Sequence, residues 1–298
     1  MKRRRGSKEP AVARPPATGV LPSQSSANGN SFGLVEAMFG ILAGFVLATL
    51  AVSIYAASTP HGHHASQYGE EVVSLLGLWI GLVGSVVVAT RFAARDHAGI
   101  GGSRTVRHDR DATGTGVPPP GTGVPRPGTG SLVGDFGLRL RPWPDIPLGI
   151  AAGLGSQYLL VPVVEAPLLP FVHNLYTRLG HPAQTLTGHA FGPGLAVLAL
   201  LVCLGSPIVE ELFFRGLLLR ALLGSLGQLG PRLAPAASIA ITALVFALAH
   251  FEALQFLGLA SFGVVLGVLA WRTGRLGPSV IAHMTFNTVT IIAIVAGR

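Results

Sequence analysis

Three charged residues interrupt an apolar stretch of the sequence within six positions: Glu210, Glu211 and Arg215. If the stretch is helical, Glu211 and Arg215 are four residues apart and lie on one face, where they can form an ion pair. Glu210 points about 100° away from Glu211, because an α-helix has 3.6 residues per turn. One carboxylate can therefore be neutralised by the guanidinium, while the other faces a cavity.

Two further polar patterns follow along the chain. His250 ends an apolar run that contains Phe246 four residues earlier, and His283 opens another run that contains Asn287 four residues later. A free glutamate, two histidines and an asparagine are residue types that activate water and stabilise an oxyanion. Spacing alone leaves a structural role open, because a lone histidine in an apolar helix is usually a hydrogen-bonded core residue.

The apolar segments around these patterns predict a membrane protein. Hydrophobic residues make up 49% of the 298 residues and charged residues only 11%, whereas a soluble domain carries about 25% charged residues. A membrane helix needs about 20 mostly apolar residues. We expect an all-α, polytopic bundle with about seven spans, near residues 34–57, 72–92, 146–164, 195–223, 237–250, 254–271 and 279–295.

These predicted spans have two notable properties. No Asp lies inside any of them, so the charged residues of the fourth span stand out, because a charge inside a membrane is costly. Residues 237–271 must cross twice within about 35 positions, whereas two full spans need about 40. We therefore expect either that these helices are short or that one of them does not cross fully.

Composition divides the chain into four regions. Residues 1–30 are basic and then rich in Pro, Ser, Gly and Asn, which predicts a disordered cytoplasmic tail. Residues 31–93 hold two spans, and residues 94–133 form a linker rich in Pro, Gly and Arg that cannot bury a core. Residues 134–298 form the bundle that carries all three patterns. Residues 1–133 are therefore expected to be dispensable for the chemistry.

The distribution of Lys and Arg predicts the orientation. The two Lys residues lie in the N-terminal tail, and Arg residues cluster in that tail, in the linker and after the fourth and sixth spans, whereas the other loops hold little beyond Arg178. The positive-inside rule then places the N-terminus in the cytoplasm of a multi-pass plasma-membrane protein. The net charge of +8 is expected to face anionic lipid, and no nucleic-acid partner is expected. His61, His63 and His64 fall in an external loop, where solvation is favoured over metal binding.

In this order on successive apolar helices, the patterns EExxxR, FxxxH and HxxxN resemble the CPBP family of membrane proteases. This family includes glutamate-type CAAX prenyl endopeptidases and bacterial immunity and processing proteins. The resemblance covers about residues 135–297. It implies a membrane-embedded endopeptidase that cuts a peptide or a membrane protein near the bilayer surface. A prenylated substrate stays open.

The resemblance also implies a role for each position. Glu210 would be the general base that activates water, and His250 would assist it. His283 and Asn287 would stabilise the oxyanion of the tetrahedral intermediate. Glu211 and Arg215 of the EExxxR pattern would fix the fourth helix.

A divalent metal such as zinc is a further expectation, because the family is often called a metalloprotease family and a glutamate with two histidines can bind zinc. A metal-free reaction stays equally open, since the motifs lack an HExxH pattern. The competing functions are a non-catalytic scaffold or bacteriocin-immunity-type protein of the same fold, and a transporter with a buried charged site. The absence of visible internal repeats disfavours the transporter.

Other classes of intramembrane protease fit the sequence poorly. The aspartyl type needs two intramembrane Asp, the site-2 type needs HExxH, and the rhomboid type needs GxSG. None of these features occurs in the sequence.

Overall fold

The computed structural model describes residues 32–60, 65–100, 136–188 and 192–296. These residues form helices and contain no strand, and seven helical segments are long and apolar enough to cross a membrane. The seven spans are Gly33–Ser58, Gln67–Phe92, Pro142–Leu168, Pro193–Ser225, Gly227–Leu248, Phe256–Thr273 and Gly277–Ala296. The prediction of an all-α, polytopic bundle is confirmed, and the chain is a multi-pass membrane protein.

Five spans are built on one continuous helix each, and a separate amphipathic helix, Leu175–Gly188, lies between the third and fourth spans. The five helices are Phe32–Ser58, Gln67–Ile100, Gly230–Leu248, Phe256–Thr273 and Gly277–Ala296. The second helix thus continues into the first residues of the predicted linker. The predicted N-terminal tail, the rest of that linker and the loop with His61, His63 and His64 lie outside the described residues.

The third and fourth spans change helix type along their length. The third consists of Pro142–Gly155, a π-helical turn at Ser156–Leu160, Val161–Glu165 and a final 3-10 turn at Ala166–Leu168. The fourth consists of Pro193–Leu200, a π-helical turn at Leu201–Gly205, Ser206–Glu211, a second π-helical segment at Leu212–Leu218, and Leu219–Ser225.

Prolines account for two of these π-helical turns. Pro162 and Pro207 each follow such a turn by two residues. A proline ring inside a helix clashes with the carbonyl four residues earlier, here Tyr158 and Cys203. Both carbonyls belong to the widened turns, and widening relieves the clash. In the fourth span, π-helical segments lie on both sides of Glu210 and Glu211. Such segments often occur at functional sites.

The fifth span begins earlier than predicted. Its helix starts at Gly230 rather than near residue 237, because Pro231 suits the first turn of a helix. Arg232 and Pro235 interrupt the apolar pattern of the sequence, but both fit inside the first turns of this helix. The fifth and sixth helices have 19 and 18 residues, which correspond to about 27–29 Å at 1.5 Å per residue. Both lengths are just below 20 residues, as the first alternative expects, and both helices are long and apolar enough to cross a membrane.

The first two spans pack into the same core as the fourth span. Ala37 and Val86 belong to a buried apolar cluster with Phe213. Close approach of the first two spans depends on glycine, since a side chain on Gly81 would collide with the backbone of Gly44. The N-terminal pair thus supports the helix that carries the two adjacent glutamates, which indicates a role in stability. That residues 1–133 are dispensable for the chemistry stays a prediction.

A buried ion pair joins the start of the third span to the turn before the seventh. Arg275 Nη2 donates a hydrogen bond of 2.5 Å to Asp145 Oδ1, and the backbone N–H of Arg141 donates one of 2.7 Å to Asp145 Oδ2. The third span begins at Pro142 and includes this aspartate, so the expectation that no Asp lies inside a span was wrong. The apolar pattern missed the first turn because Pro, Trp and Asp interrupt it.

Candidate active site

Glu211 forms the ion pair that its spacing from Arg215 predicts. Arg215 Nη1 donates to Glu211 Oε1 at 2.6 Å, and both side chains are fully buried. Arg215 Nη2 also donates to the carbonyl of Gly263 in the sixth span at 3.2 Å. The pair therefore neutralises a charge inside the bundle and connects two spans.

His283 binds the same carboxylate from the seventh span. Its Nδ1 lies 3.1 Å from Glu211 Oε1, and an ionised carboxylate only accepts hydrogen bonds, so Nδ1–H is the donor. This bond orients the ring and leaves Nε2 on the opposite side, 3.9 Å from Glu210 Oε2. His283 thus lies between the two glutamates. Sequence reasoning missed this contact, because no local pattern links positions that are 72 residues apart.

Glu210 has a different environment from its neighbour. Its side chain is 14% exposed, whereas that of Glu211 is 0% exposed. Glu210 Oε2 and Glu211 Oε2 both lack a hydrogen-bond partner within the described part of the chain, and the distance from Glu210 Oε2 to His283 Nε2 is too long for a hydrogen bond. The exposure of its side chain, rather than the unpartnered oxygen, makes Glu210 the carboxylate that a group entering the site can reach.

His250 lies in the turn that follows the fifth helix, and Phe246 connects it to the other polar groups. His250 Nδ1–H donates to the Phe246 carbonyl at 2.7 Å, which leaves Nε2 as an acceptor. The Phe246 ring meets the rings of His250 and His283 edge to face, with centroids 4.7 and 5.7 Å apart. Arg215 Cζ lies 4.6 Å from the same ring centroid, a cation–π contact. One buried phenylalanine thus contacts three of the predicted site residues, although the sequence assigned it no role.

Asn287 is tied to the fourth span. Its Nδ2 donates to the Val202 carbonyl in the first π-helical turn at 2.9 Å. A side-chain amide nitrogen carries two hydrogens, so one remains for another acceptor. The adjacent Phe286 stacks on Phe262 with ring centroids 4.2 Å apart, and Phe262 contacts the His283 ring edge to face at 5.6 Å. The seventh span is therefore positioned by both polar and aromatic contacts.

Glu165 is a buried carboxylate that sequence reasoning left outside the third span. It is 5% exposed and lies against Gly258 of the sixth span, where a side chain would collide with its Oε1. The predicted span ends at Val164, so it places Glu165 in the following loop, where a charge has no burial cost. A glutamate that follows an apolar run directly is the signal that would have found it.

The donor set does not fit a zinc site. The described residues contain no group of three or more His, Cys, Asp and Glu side chains that could hold a metal ion, whereas catalytic zinc sites use three protein ligands. Glu211 Oε1 already accepts hydrogen bonds from Arg215 and His283. Metal dependence stays a prediction, and the term metalloprotease gains no support from this geometry.

A family model matches part of the chain. Residues 192–289 match the model described as Type II CAAX prenyl endopeptidase Rce1-like. This stretch contains all six predicted site residues but is shorter than the expected 135–297, and it leaves the first three spans outside. Neither a curated protein nor a solved structure matches the chain. The match confirms the resemblance carried by the three motifs, and residues 192–289 are similar to the CAAX prenyl endopeptidases that this model describes.

Proposed function

We propose that this chain is an intramembrane endopeptidase in which Glu210 activates a water molecule for attack on a peptide bond. The family match implies a membrane peptidase. The observation that carries the mechanism is the contrast between adjacent carboxylates. Glu211 is fully buried and its Oε1 accepts hydrogen bonds from Arg215 and His283, whereas the Glu210 side chain is 14% exposed and is held by neither of them.

In the first step, Glu210 takes a proton from water as the water oxygen attacks the carbonyl carbon of the substrate. General-base catalysis by a positioned side chain contributes about 10²- to 10⁴-fold in rate. His250 assists, because its Nδ1–H is bound to the Phe246 carbonyl and its Nε2 can accept a hydrogen bond from the same water. The tetrahedral intermediate then carries a negative charge on the former carbonyl oxygen.

His283 stabilises that oxyanion by donating a hydrogen bond from Nε2–H, in the form that carries a hydrogen on both ring nitrogens. Its Nδ1–H remains hydrogen-bonded to Glu211, and Nε2 lies on the side of Glu210. The second hydrogen on the Asn287 amide provides another donor. When the intermediate collapses, the C–N bond breaks and Glu210 transfers its proton to the leaving amine. This returns the carboxylate to its starting state.

Glu211 and Arg215 have a supporting role in this mechanism. Their ion pair orients His283 and joins the fourth span to the Gly263 carbonyl. They do not exchange protons with the substrate. In the EExxxR pattern, Glu210 is thus the reactive residue. Glu211 and Arg215 keep the surrounding side chains in position.

The substrate is a peptide or a membrane protein that reaches the site from the bilayer. We further propose a plasma-membrane location with the N-terminus in the cytoplasm, supported by the distribution of Lys and Arg. A cytoplasmic linker would stay unlabelled when a cysteine at Thr115, in a Cys203→Ala background, is exposed to an external thiol reagent. External labelling at that position would contradict the proposed orientation.

The function is tested by comparing cells that express the wild-type chain with cells that express Glu210→Gln. Proteomics of membrane-derived peptides should show cleavage products that disappear in the variant. Glu36→Gln is a matched control, because Glu36 is also a buried carboxylate but lies in the first span. Identical peptide profiles for the wild type and Glu210→Gln would favour the non-catalytic scaffold or immunity-type protein.

A further inference from the structure

Phe251, the residue after His250, has a backbone conformation that is unusual for its type. Its φ angle is 54°, in the left-handed region that bulky residues rarely occupy. Such conformations persist where surrounding contacts hold them, and they cluster at functional sites. The turn that carries His250 is therefore held by contacts outside its own sequence.

The hydrogen bonds within this turn give it limited support. The backbone N–H of His250 donates to the Ala247 carbonyl at 3.3 Å, and that of Phe251 donates to the Leu248 carbonyl at 3.1 Å. The most common N–H···O distance is 2.9–3.0 Å, and longer bonds are weaker. The position of the turn thus depends on what packs against it.

Phe45 of the first span contacts the turn through Phe251. The rings of Phe45 and Phe251 meet edge to face, with centroids 5.0 Å apart and planes at 79°. They do so across an apolar groove of about 650 Å³ between the first span and the end of the fifth. Ile41 and Phe45 line one wall, and residues 245, 247–249, 251–253 and 256 line the other.

The turn has two different faces. Phe246 contacts Arg215 and His283, and His250 packs against the same Phe246 ring. The residues beside them in the sequence line the groove instead. A shift of the turn into the groove would therefore move His250 away from the other site residues.

We propose that Phe45, in a span outside the matched family domain, positions His250 by packing against Phe251. This inference rests on the proposed function, because it concerns a histidine assigned to the peptidase reaction. Phe45 acts only through the turn and does not touch the reacting groups. The N-terminal spans then contribute to the rate of reaction as well as to the core.

The test compares three variants of the full-length purified chain: Phe45→Ala, Phe45→Tyr and Phe39→Ala. The assay uses a quenched fluorogenic peptide with a farnesylated CAAX end or, if this is not cleaved, a membrane peptide whose cleavage depends on Glu210. An aromatic pair contributes enough interaction energy to change a rate about 2- to 10-fold. We expect Phe45→Ala to lower kcat by that factor with an unchanged KM, and Phe45→Tyr to retain activity because it keeps the ring.

Phe39→Ala is the matched control, because Phe39 lies on the same span, is 66% exposed and lines a different groove. It should keep the wild-type kcat. Equal losses of kcat in Phe39→Ala and Phe45→Ala would overturn the proposal, because they would indicate a general effect of removing apolar surface. An unchanged kcat in Phe45→Ala would overturn it as well.

Hydrogen exchange provides a measurement that needs no substrate. The amides of residues 247–254 should exchange faster in Phe45→Ala than in the wild type or Phe39→Ala, because the turn opens more often. Equal exchange in all three proteins would contradict the positioning role. If Glu210→Gln keeps full activity, the proposed function fails. If Glu210→Gln is inactive and Phe45→Ala is normal in both measurements, only the positioning role fails.

Discussion

Glu210 and Glu211 are neighbours in the sequence, yet their surroundings differ. Glu211 is fully buried, and its Oε1 pairs with Arg215 and accepts a hydrogen bond from His283. Glu210 is 14% exposed, and its Oε2 lies 3.9 Å from His283 Nε2, too far for a hydrogen bond. The comparison shows how one helix can provide a rigid anchor and a reactive group at adjacent positions, because successive side chains point about 100° apart.

The largest effect on stability is expected for Glu211→Gln. The change leaves the guanidinium of Arg215 buried without its charged partner, and breaking a buried pair costs about 3–5 kcal/mol. Thermal unfolding of the purified variant should show a clear loss of stability, together with a loss of activity because His283 also loses its carboxylate. A variant as stable as the wild type would contradict the anchoring role.

A double variant sharpens this prediction. Replacing both residues, as Glu211→Gln with Arg215→Met, removes the unpaired charge and should recover part of the lost stability. Activity should stay low, since His283 still lacks the carboxylate that orients it. Recovery of activity along with stability would show that Glu211 acts only through the fold.

Asn287→Ala is expected to affect the rate more than the fold. Removing one oxyanion donor costs about 100- to 1000-fold in kcat, while the lost hydrogen bond to the Val202 carbonyl costs about 0.5–1.5 kcal/mol of stability. Steady-state kinetics and a melting curve on the same preparation separate the two effects. A loss of stability with a normal kcat would assign Asn287 a purely structural role.

Asp145→Asn should have the smallest effect, and only on stability. The Asp145–Arg275 pair resembles the Glu211–Arg215 pair in chemistry, but the Arg275 side chain is 18% exposed and reaches water after the change. We expect a loss of about 1–3 kcal/mol in the free energy of unfolding, from the buried hydrogen bonds, and an unchanged kcat. A large fall in kcat would show that the two ion pairs have similar roles.

The sequence predicted the features that depend on local patterns. The positions of the seven spans follow from apolar length, and the pairing of Glu211 with Arg215 follows from helical spacing. The first turns of the third and fifth helices were missed, because Asp145, Arg232 and Pro235 interrupt the apolar pattern. A helix tolerates these residues in its first turns, which a hydropathy pattern does not take into account.

Contacts between helices could not be predicted from spacing. The bond between His283 and Glu211 depends on how the fourth and seventh spans are rotated about their axes. The same holds for the contacts of the Phe246 ring with Arg215 and His283, which lie on the fourth and seventh spans. A single sequence has no local signal for such rotations. The motifs therefore indicate candidate site residues but not which of their atoms meet.

The packing of the N-terminal spans against the fourth span could not be predicted from the sequence either. Composition separated residues 31–93 from the bundle, because a Pro- and Gly-rich linker follows them. In the structure, Ala37 and Val86 share a core with Phe213, and the packing of apolar side chains against one another cannot be read from composition. A linker in the sequence thus marks a boundary in the chain, but it does not separate two independent cores.

The central claim is that Glu210 provides the reactive carboxylate and Glu211 holds the site together. It is tested most directly by measuring peptide cleavage and thermal unfolding on the same preparation of purified Glu210→Gln. The change keeps the shape of the side chain but removes its basicity, so kcat should fall by about 10²- to 10⁴-fold while the melting temperature stays close to that of the wild type. Full activity in this variant, or a melting temperature as low as that expected for Glu211→Gln, would contradict the assignment of the two carboxylates.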